Sequence, residues 1–357
     1  MISRVRVVIL CILLAAIPGL ECINQAHAET PVHIPQTAEI LVVNSRDSLI
    51  MAYAPHANGN IAPAWVMGWQ LIPCGIARDS AGRIYVTNYW NNSISVFAPG
   101  AEGAASPVAI IRGSKTGLYR PTGIAVDSKG KVYVVNGGAD FDLTDPVGRI
   151  DIYTAGSSGN VAPIAVIAGN HTRIENPHAV ALDSSGKIYV TDSGDEEIET
   201  KSPPRVMVYS AGSKGNVSPT STISGERTDL WFPYGITLDT SGKIYVTNNA
   251  SMGGHFGAPD DDYDDRVTVY PAGAKGNIAP VARIAGKETG IGQPRGIALD
   301  SFGRAYVTNE CVRRFEGDPH KSLRDQLACW QSVTVYPVGA SGDAAPIATV
   351  WGSSQPR

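Results

Sequence analysis

The sequence predicts an all-β protein, a six-bladed β-propeller of four-stranded antiparallel blades whose first blade lacks an evident inner strand. Three observations support this class. One unit recurs along the chain at intervals of roughly fifty to sixty residues, a spacing typical of propeller blades. Each copy holds short runs rich in β-branched and aromatic residues, which favour strands. Finally, 38 glycines, 24 prolines and a charged fraction of 17% favour many turns over amphipathic helices.

The repeated unit starts at a proline in five copies, for example "PTGIAVDSKGKVYVVN" (121–136) and "PYGITLDTSGKIYVTN" (233–248). Its first apolar run predicts an inner strand. The Asp-Ser-x-Gly that follows predicts a tight turn in which Gly takes a positive φ. The next run predicts a strand that is largely buried on both faces. A second half such as "RVTVYPAGAKGNIAPVARIAG" (266–286) supplies strands three and four.

A partial copy before these five matches strands two to four only, and it supplies the sixth blade. One blade cannot bury both of its faces alone, so we expect a closed ring. The inner strand of the first blade is either supplied by residues 30–38 or absent. The predicted blades span residues 39–68, 73–113, 121–169, 177–225, 233–286 and 294–352.

These motifs resemble the NHL-repeat β-propellers. The resemblance lies in P-x-G-I-A-x-D-x-x-G-x-I-Y-V-x-[ND] followed by R-V-x-V-Y, and it covers nearly all of residues 29–357. The chain departs from the pattern at Ala179, where the other copies have Gly. The resemblance implies the propeller fold. For function it implies only a range of classes, which includes protein-binding and RNA-binding modules, extracellular sensors and related six-bladed enzymes.

The first 28 residues are predicted to be an export signal. "MISRVR" is a basic start, "VVILCILLAAIPGL" is an apolar stretch, and "AHA" at 26–28 fits a cleavage site after Ala28. Residues 29–357 would then form a single propeller domain, secreted or periplasmic and monomeric. No other segment is long and apolar enough to span a membrane. A net charge of −4 gives no basic face for a nucleic acid.

The cysteines fit an oxidising compartment. Cys311 and Cys329 bracket one polar segment, and we expect a disulfide between them. Cys74 is either a small buried apolar side chain or a reactive thiol, and the first interpretation is favoured.

The connection between strands two and three varies most from blade to blade, so it is the expected place for function. It lies on the same face of the ring as the connections from strand four to the next strand one. Aromatic residues concentrate in these connections, and the residue after the first proline of each blade also differs between blades. The candidate residues for binding a protein or polysaccharide ligand are Trp69, Trp90, Tyr119, His178, Trp231, Tyr234 and Arg295.

Three of the variable loops are acidic, above all the one that contains "APDDDYDD". Asp260, Asp262 and Asp264 match the opening of an EF-hand loop, but Asp265 replaces its glycine and Pro271 replaces its final glutamate. The EF-hand is therefore excluded. An irregular calcium site, a docking rim and a solvated loop stay open, and calcium is the only cofactor that the sequence suggests.

By contrast, polar residues that recur in every blade indicate scaffold. They are the strand-end Asn or Asp, as in Asn248, and the turn Asp, as in Asp239, which we expect to bond nearby backbone groups.

No catalytic residue is predicted. A binding module is the preferred function, and a metal-dependent, lactonase-like hydrolase at the central channel is the alternative. Against it, the inner strands carry no glutamate and no nucleophile motif is present. A structural module without a ligand is a third class.

Overall fold

The computed structural model describes most of the repeat region, and it confirms the all-β, six-bladed class. Six sheets surround a common axis, and the helices of the described part are short 3₁₀ turns such as Asn170–Thr172. None of the described helices is long and apolar enough to cross a membrane. The residues described are 7–9, 40–45, 47–68, 73–137, 148–194, 202–250, 265–315 and 327–351, of which 7–9, 311–315 and 327–330 are described by their backbone alone.

Each sheet is formed by strands that follow one another in the chain. The sheet orders are β1-β2-β3-β5, β6-β7-β8-β9, β10-β11-β12-β13, β14-β15-β16-β17, β18-β19-β20-β21 and β22-β23-β24-β25-β4. The strands in chain order are β1 (Val7–Ile9), β2 (Ile40–Asn44), β3 (Leu49–Tyr53), β4 (Gly59–Asn60), β5 (Trp65–Gly68), β6 (Pro73–Arg78), β7 (Ile84–Asn88), β8 (Ser93–Phe97), β9 (Ala109–Arg112), β10 (Ile124–Val126), β11 (Val132–Asn136), β12 (Arg149–Tyr153), β13 (Ala165–Ile167), β14 (Pro177–Leu182), β15 (Ile188–Asp192), β16 (Arg205–Tyr209), β17 (Ser221–Ser224), β18 (Pro233–Leu238), β19 (Ile244–Asn248), β20 (Arg266–Tyr270), β21 (Ala282–Ile284), β22 (Pro294–Leu299), β23 (Ala305–Phe315), β24 (Leu327–Tyr336) and β25 (Ala348–Trp351).

Blade 1 is incomplete, as predicted, with three antiparallel strands of its own. Its inner edge is bordered by the backbone of Val7–Ile9, which runs parallel to Ile40–Val42. In the other five blades the inner strand is antiparallel to its neighbour. Residues 30–38, the expected source of an inner strand, lie outside the described part, so that expectation stays a prediction. Cleavage after Ala28 would remove Val7–Ile9.

The turn aspartates have the scaffold role that the sequence predicted. Asp239 Oδ1 accepts hydrogen bonds from the backbone N–H of Ser241 and Lys243 at 2.8 and 2.9 Å. Equivalent pairs of bonds occur at Asp79, Asp127, Asp183 and Asp300. The carboxylate thus fixes the turn that joins strands one and two in each blade.

The core lies between blades. Val135 and Ile150 of blade 3, for example, pack in one buried cluster with Val190 and Met207 of blade 4. Burying a side chain of this size contributes about 1.5–3 kcal/mol relative to leaving it exposed. Each blade therefore depends on its neighbours for its buried faces.

A second contact joins neighbouring blades through the Gly-Asn of the repeat. The outer strand of one blade forms a parallel bridge to the glycine of the next, as at Ile223 and Gly276, and Gly276 N–H donates to Thr222 O at 2.6 Å. The following asparagine, Asn277, accepts from Arg227 N–H at 2.7 Å. The same bridge recurs at Ile111–Gly159, Ile167–Gly215 and Ile284–Gly342. The ring closes in this way too, because Val350 and Trp351 of blade 6 pair with Gly59 and Asn60 of blade 1.

Inner-strand glycines let neighbouring blades approach the axis closely. A Cβ on Gly235 would lie 2.5 Å from the backbone oxygen of Arg295 and 3.0 Å from Thr247 Oγ1. We therefore expect Gly235→Ala to destabilise the protein by about 1–3 kcal/mol through overpacking. Gly68→Ala is the matched control, because its new Cβ would meet only Leu49 Cδ2 at an ordinary 3.5 Å. Urea unfolding measures both variants, and equal midpoints would contradict the expectation.

Candidate functional site

A β-bulge lies at the start of the inner strand in four blades. The register shifts between Pro177 and Ala179, and between Pro and Ile at the start of blades 2, 5 and 6. Bulges re-aim side chains and are common beside functional sites. The residue after the first proline of each blade, which we call the inner position, is the one that the sequence showed to vary, and in these four blades it lies inside the bulge. The inner positions are Cys74, Thr122, His178, Tyr234 and Arg295, and all are buried.

Threonines of the second strands hold these bulges in place. The Gly235 N–H that the bulge frees donates to Thr247 Oγ1 at 2.7 Å, and the Thr247 hydroxyl donates to Arg295 O of the next blade at 2.8 Å. Thr191 makes the corresponding bond to Tyr234 O at 2.6 Å. The backbone of Tyr234 and that of Arg295 are thus each bonded by a threonine of the preceding blade.

The inner position has a partner in the same blade. The residue after the strand-end Asn or Asp, which we call the facing position, is Ser193 in blade 4 and Glu310 in blade 6. His178 Nε2 lies 3.1 Å from Ser193 Oγ. Arg295 Nε and Nη2 donate to Glu310 Oε2 at 2.9 and 2.8 Å. Arg295 is 2% exposed, so this ion pair is almost fully removed from water.

The three inner-position side chains of blades 4, 5 and 6 stack on one another. The rings of His178 and Tyr234 are stacked with centroids 4.2 Å apart and an interplanar angle of 21°. The Arg295 guanidinium lies 4.2 Å from the centroid of Tyr234. The structure therefore brings together three of the predicted binding residues, in the interior of the ring rather than on its surface.

The stack carries no net charge. Burial, with a smaller contribution from the Arg295 guanidinium, lowers the pKa of His178 to about 3, so its imidazole is neutral at neutral pH. Glu310 neutralises Arg295. An anion bound here would therefore meet a positive charge at Arg295 that Glu310 already compensates.

Aromatic side chains also gather on the face of the ring that carries the variable loops. Trp90, which is 50% exposed, contacts Tyr89 edge to face at a centroid distance of 5.1 Å. The Arg120 guanidinium lies 5.9 Å from the Trp90 ring and 5.4 Å from the Tyr119 ring. Arg120 takes a φ of 43°, and its N–H donates to Asn92 Oδ1 at 2.7 Å. We call Trp90, Tyr119 and Arg120 the aromatic platform.

Trp231 is the blade 5 counterpart of Tyr119, because each donates its backbone N–H to the strand-end asparagine of its own blade. It is 40% exposed. The predicted residues Trp69, Asp260, Asp262 and Asp264 lie outside the described part. Asp265, the last aspartate of the acidic cluster, is structural, because its carboxylate accepts from Ala250 N–H and Gln293 N–H at 2.8 and 2.6 Å.

The cysteine predictions have different outcomes. Cys74 is buried, as its favoured interpretation requires. The disulfide stays a prediction, since the side chains of Cys311 and Cys329 are outside the described part. The backbone register places Cys329 opposite Arg313 rather than opposite Cys311.

Sequence reasoning missed the facing positions. Ser193, Asn249 and Glu310 follow the strand-end residue directly, and their equivalence is shown by one shared bond from each backbone N–H to the connection before the inner strand. Their identity changes from blade to blade as the inner position does. This shared variation between blades could have indicated from the sequence that the facing position contacts the inner position.

The sheets and the axial arrangement of the inner strands define the class, a six-bladed β-propeller. Solved structures share this fold at low identity. A protein of unknown function from Bacteroides caccae has a TM-score of 0.53 at 10% identity, with 87% of this chain and 92% of that chain covered. A luciferin-regenerating enzyme has a TM-score of 0.50 at 16% identity, with 85% and 89% covered. A periplasmic gluconolactonase of Pseudomonas aeruginosa has a TM-score of 0.48 at 12% identity, with 89% and 97% covered.

No family model matches the chain, and no curated protein matches it either. At these identities the likenesses with TM-scores of 0.53 and 0.50 establish the fold alone.

Proposed function

We propose that this chain is an exported NHL-type propeller that binds a protein or an envelope polysaccharide through the face of the variable loops. The observation that carries the proposal is the aromatic platform. It places an exposed Trp and a half-buried Tyr beside an Arg, and these three residue types are enriched at binding hot spots. They also provide an apolar surface with a polar edge, which suits both peptide and sugar ligands.

The architecture supports a binding role for this face. The scaffold residues recur in every blade, whereas the platform occurs in blades 2 and 3 and its counterpart Trp231 in blade 5. Trp90 belongs to a two-to-three loop, and Tyr119 and Trp231 belong to four-to-one connections, so all three lie at the same end of the strands. A rigid ring that holds variable connections on one face is the usual arrangement for recognition.

Trp90→Ala tests the platform. Because half of this side chain is exposed, we expect thermal stability to change little, while binding weakens at least tenfold, as for a hot-spot residue. Binding is measured by co-sedimentation with purified envelope polysaccharide and by capture from an envelope protein extract, which together tell the two ligand classes apart.

Phe302→Ala is the matched control. Phe302 is 65% exposed and lies in the turn between strands one and two, at the opposite end of the blade. Equal binding by the two variants, in both assays, would overturn the platform as the binding site.

For the hydrolase alternative, the described residues near the axis offer no metal site. The described part holds no group of three His, Cys, Asp or Glu side chains that could ligate a metal. Two buried carboxylates of the inner half of the blades are each paired with an arginine, Glu310 with Arg295 and Asp192 with Arg205. A guanidinium at such a carboxylate competes with a metal cation for the same oxygens and repels it. These side chains therefore do not fit a catalytic metal.

The calcium site at Asp260, Asp262 and Asp264 rests on the sequence alone. Carboxylates at short spacing suit this ion. Both carboxylate oxygens of Asp265 accept backbone hydrogen bonds, so they are less available as calcium ligands.

A further inference from the structure

A groove lies between blades 5 and 6, at the end of the strands that is opposite the variable loops. It has a volume of 380 Å³, which falls within the about 300–1,000 Å³ of small-molecule sites. Side chains that line it include Val281 of blade 5 and Ala305 of blade 6. Val338 stands between Pro337 and Gly339, which both line the groove, and it is 64% exposed. The groove is therefore open and mainly apolar.

One buried position of blade 6 departs from the repeat at this groove. The first residue of strand two is Ala305 in blade 6, where blades 4 and 5 have Ile188 and Ile244. Protein interiors are close-packed, so the smaller side chain leaves space at this junction that an isoleucine would fill. In blades 2 and 3 the same position holds Ile84 and Val132.

The loss of this side chain uncovers Tyr245 of blade 5. At the preceding junction the equivalent ring, Tyr189, shares a buried cluster with Ile244 of the next blade. Tyr245 packs instead against the cluster that contains Ala305, and it is only half-buried. The equivalent tyrosines of the other blades are buried, and they are Tyr85, Tyr133, Tyr189 and Tyr306.

The hydroxyl of Tyr245 also differs from its counterparts. Tyr189 and Tyr306 donate to the turn aspartate of their own blades at 3.3 and 3.2 Å. Within the described part of the chain, Tyr245 makes no such bond to Asp239. Because Tyr245 lines the groove, its hydroxyl can bond a ligand there as donor or acceptor.

Lys243 supplies the positive charge of the groove. It is the one charged residue of the lining, its side chain is exposed, and its ammonium group forms no ion pair among the described residues. The bases at the same place in blades 2 and 6, Arg83 and Arg304, each pair with the turn aspartate of their own blade. Lys243 and Tyr245 are two residues apart at the start of one strand, so their side chains share a face of the sheet.

The turn aspartate of blade 5 does not occupy this cation. Asp239 is not part of the lining, and its Oδ1 accepts from the backbone N–H of Ser241 and Lys243 and from Ser241 Oγ. The ammonium group of Lys243 can therefore meet an anion in the groove.

The fold does not require the apolar residues at the edge of the groove. Ala272 occupies the place of Val338 in blade 5, where each lies beside the turn glycine of its own blade. Thr220 occupies the place of Val281 in blade 4, and both donate the same backbone bond to strand three. Smaller or polar residues thus serve elsewhere, and exposed apolar surface is typical of binding sites.

We propose that the groove between blades 5 and 6 binds a small amphiphilic carboxylate. Its apolar part packs against Val281 and Ala305, and its carboxylate accepts hydrogen bonds from the Lys243 ammonium and the Tyr245 hydroxyl. The groove lies at the other end of the strands from the aromatic platform. A polymer bound on the loop face and an acid bound here are independent, so either proposal can fail alone.

The experiment titrates the purified protein by calorimetry with octanoate, and with octanol and octylamine as neutral and cationic counterparts, all below their micellar concentrations. We expect octanoate to bind saturably, and about two- to fivefold more tightly than octanol, as for a pair that includes an exposed charge. Octylamine should bind more weakly than octanol. Lys243→Met should reduce the affinity for octanoate to that for octanol.

Two further variants take their new residue from other blades. Ala305→Ile should weaken octanoate binding about tenfold or more, because it fills the groove. Val281→Thr copies Thr220 and should weaken binding severalfold through the loss of apolar contact. Val108→Thr is the matched control, since Val108 has the equivalent place in blade 2 and is 63% exposed against 59% for Val281. It should leave binding unchanged.

Thermal unfolding without a ligand shows whether the space at Ala305 is open. Ala305→Ile should unfold at the wild-type temperature or above, because filling a cavity stabilises a protein. A clearly lower unfolding temperature would show that the folded protein has no room there, and it would overturn the proposal.

Three binding results would also overturn the proposal. They are no saturable binding of octanoate, equal losses of affinity in Val281→Thr and Val108→Thr, and an affinity for octanol or octylamine that equals or exceeds that for octanoate. The last result, with octanol, would assign the groove to an uncharged apolar partner instead.

Discussion

Arg295→Met is expected to lower the free energy of unfolding by about 3–5 kcal/mol, because it leaves the Glu310 carboxylate buried without its partner. The ion pair has side chains that are 3% and 6% exposed, and its two bonds are 2.8 and 2.9 Å long. The variant also removes the guanidinium from the face of Tyr234. Urea unfolding at neutral pH measures the change.

Two further variants make this test specific. Arg295→Met combined with Glu310→Leu should recover most of the lost stability, because an apolar pair of similar volume replaces the ion pair. Arg283→Met breaks the ion pair between Arg283 and Asp229, whose side chains are 42% and 30% exposed, respectively. It should lower the free energy of unfolding by no more than about 1 kcal/mol. If Arg295→Met and Arg283→Met lowered the free energy of unfolding equally, the buried ion pair would contribute no more to stability than the exposed one.

Asp151→Thr is expected to stabilise the protein at alkaline pH and to have a smaller effect at acidic pH. Burial raises the pKa of Asp151 to about 6, although the neighbouring Arg149 acts in the opposite direction. One oxygen, Oδ2, accepts from Asn136 Nδ2 and Arg149 Nη2 at 2.9 and 3.0 Å. The other oxygen has no partner in the described part.

The direction of the pH dependence follows from the raised pKa. The folded protein holds the Asp151 proton more tightly than the unfolded chain, so the favourable contribution is complete below the ordinary value of 3.8 and is lost as the pH rises through 6. Above that pH the buried carboxylate costs at most about 3 kcal/mol. Asp151→Thr removes this cost, so its advantage over the wild type should grow by up to that amount between pH 4 and pH 8.

Blade 5 has a threonine at the position equivalent to Asp151. Thr268 occupies the same place there and accepts from Asn248 Nδ2 at 3.0 Å, as Asp151 accepts from Asn136. The reverse variant, Thr268→Asp, should introduce a loss of stability toward alkaline pH. The measurement is urea unfolding at a series of pH values. An advantage of Asp151→Thr that is the same at pH 4 and pH 8 would contradict the assignment to this carboxyl.

The repeat made the fold predictable from the sequence, because the same order of strand-forming runs and turn residues recurs from blade to blade. The scaffold roles of the turn aspartates and strand-end asparagines were predictable for the same reason. A residue that recurs in every blade, such as Asp239, has the same backbone neighbours each time. Variation between blades set His178, Tyr234 and Arg295 apart from these recurring residues, and their role in binding stays a prediction.

The site itself was only half predictable. The pairing of Arg295 with Glu310 depends on a bulge, and the stacking of His178 on Tyr234 depends on the angle between blades, neither of which a linear pattern encodes. The sequence marked these three residues by their variation between blades, but it gave no sign that the structure buries them. Val7–Ile9 along blade 1 was not predicted either, because the blade 1 repeat has no inner copy to compare it with.

The Gly-Asn bridge has a consequence for how the ring is assembled. Blade 6 holds blade 1 through Val350 and Gly59 by the same parallel bridge that joins Ile223 to Gly276 in the interior of the chain. The seam therefore uses the same parallel backbone bridge as the junctions in the interior of the chain. A chain that starts at a different blade could therefore keep this backbone bridge at its junctions.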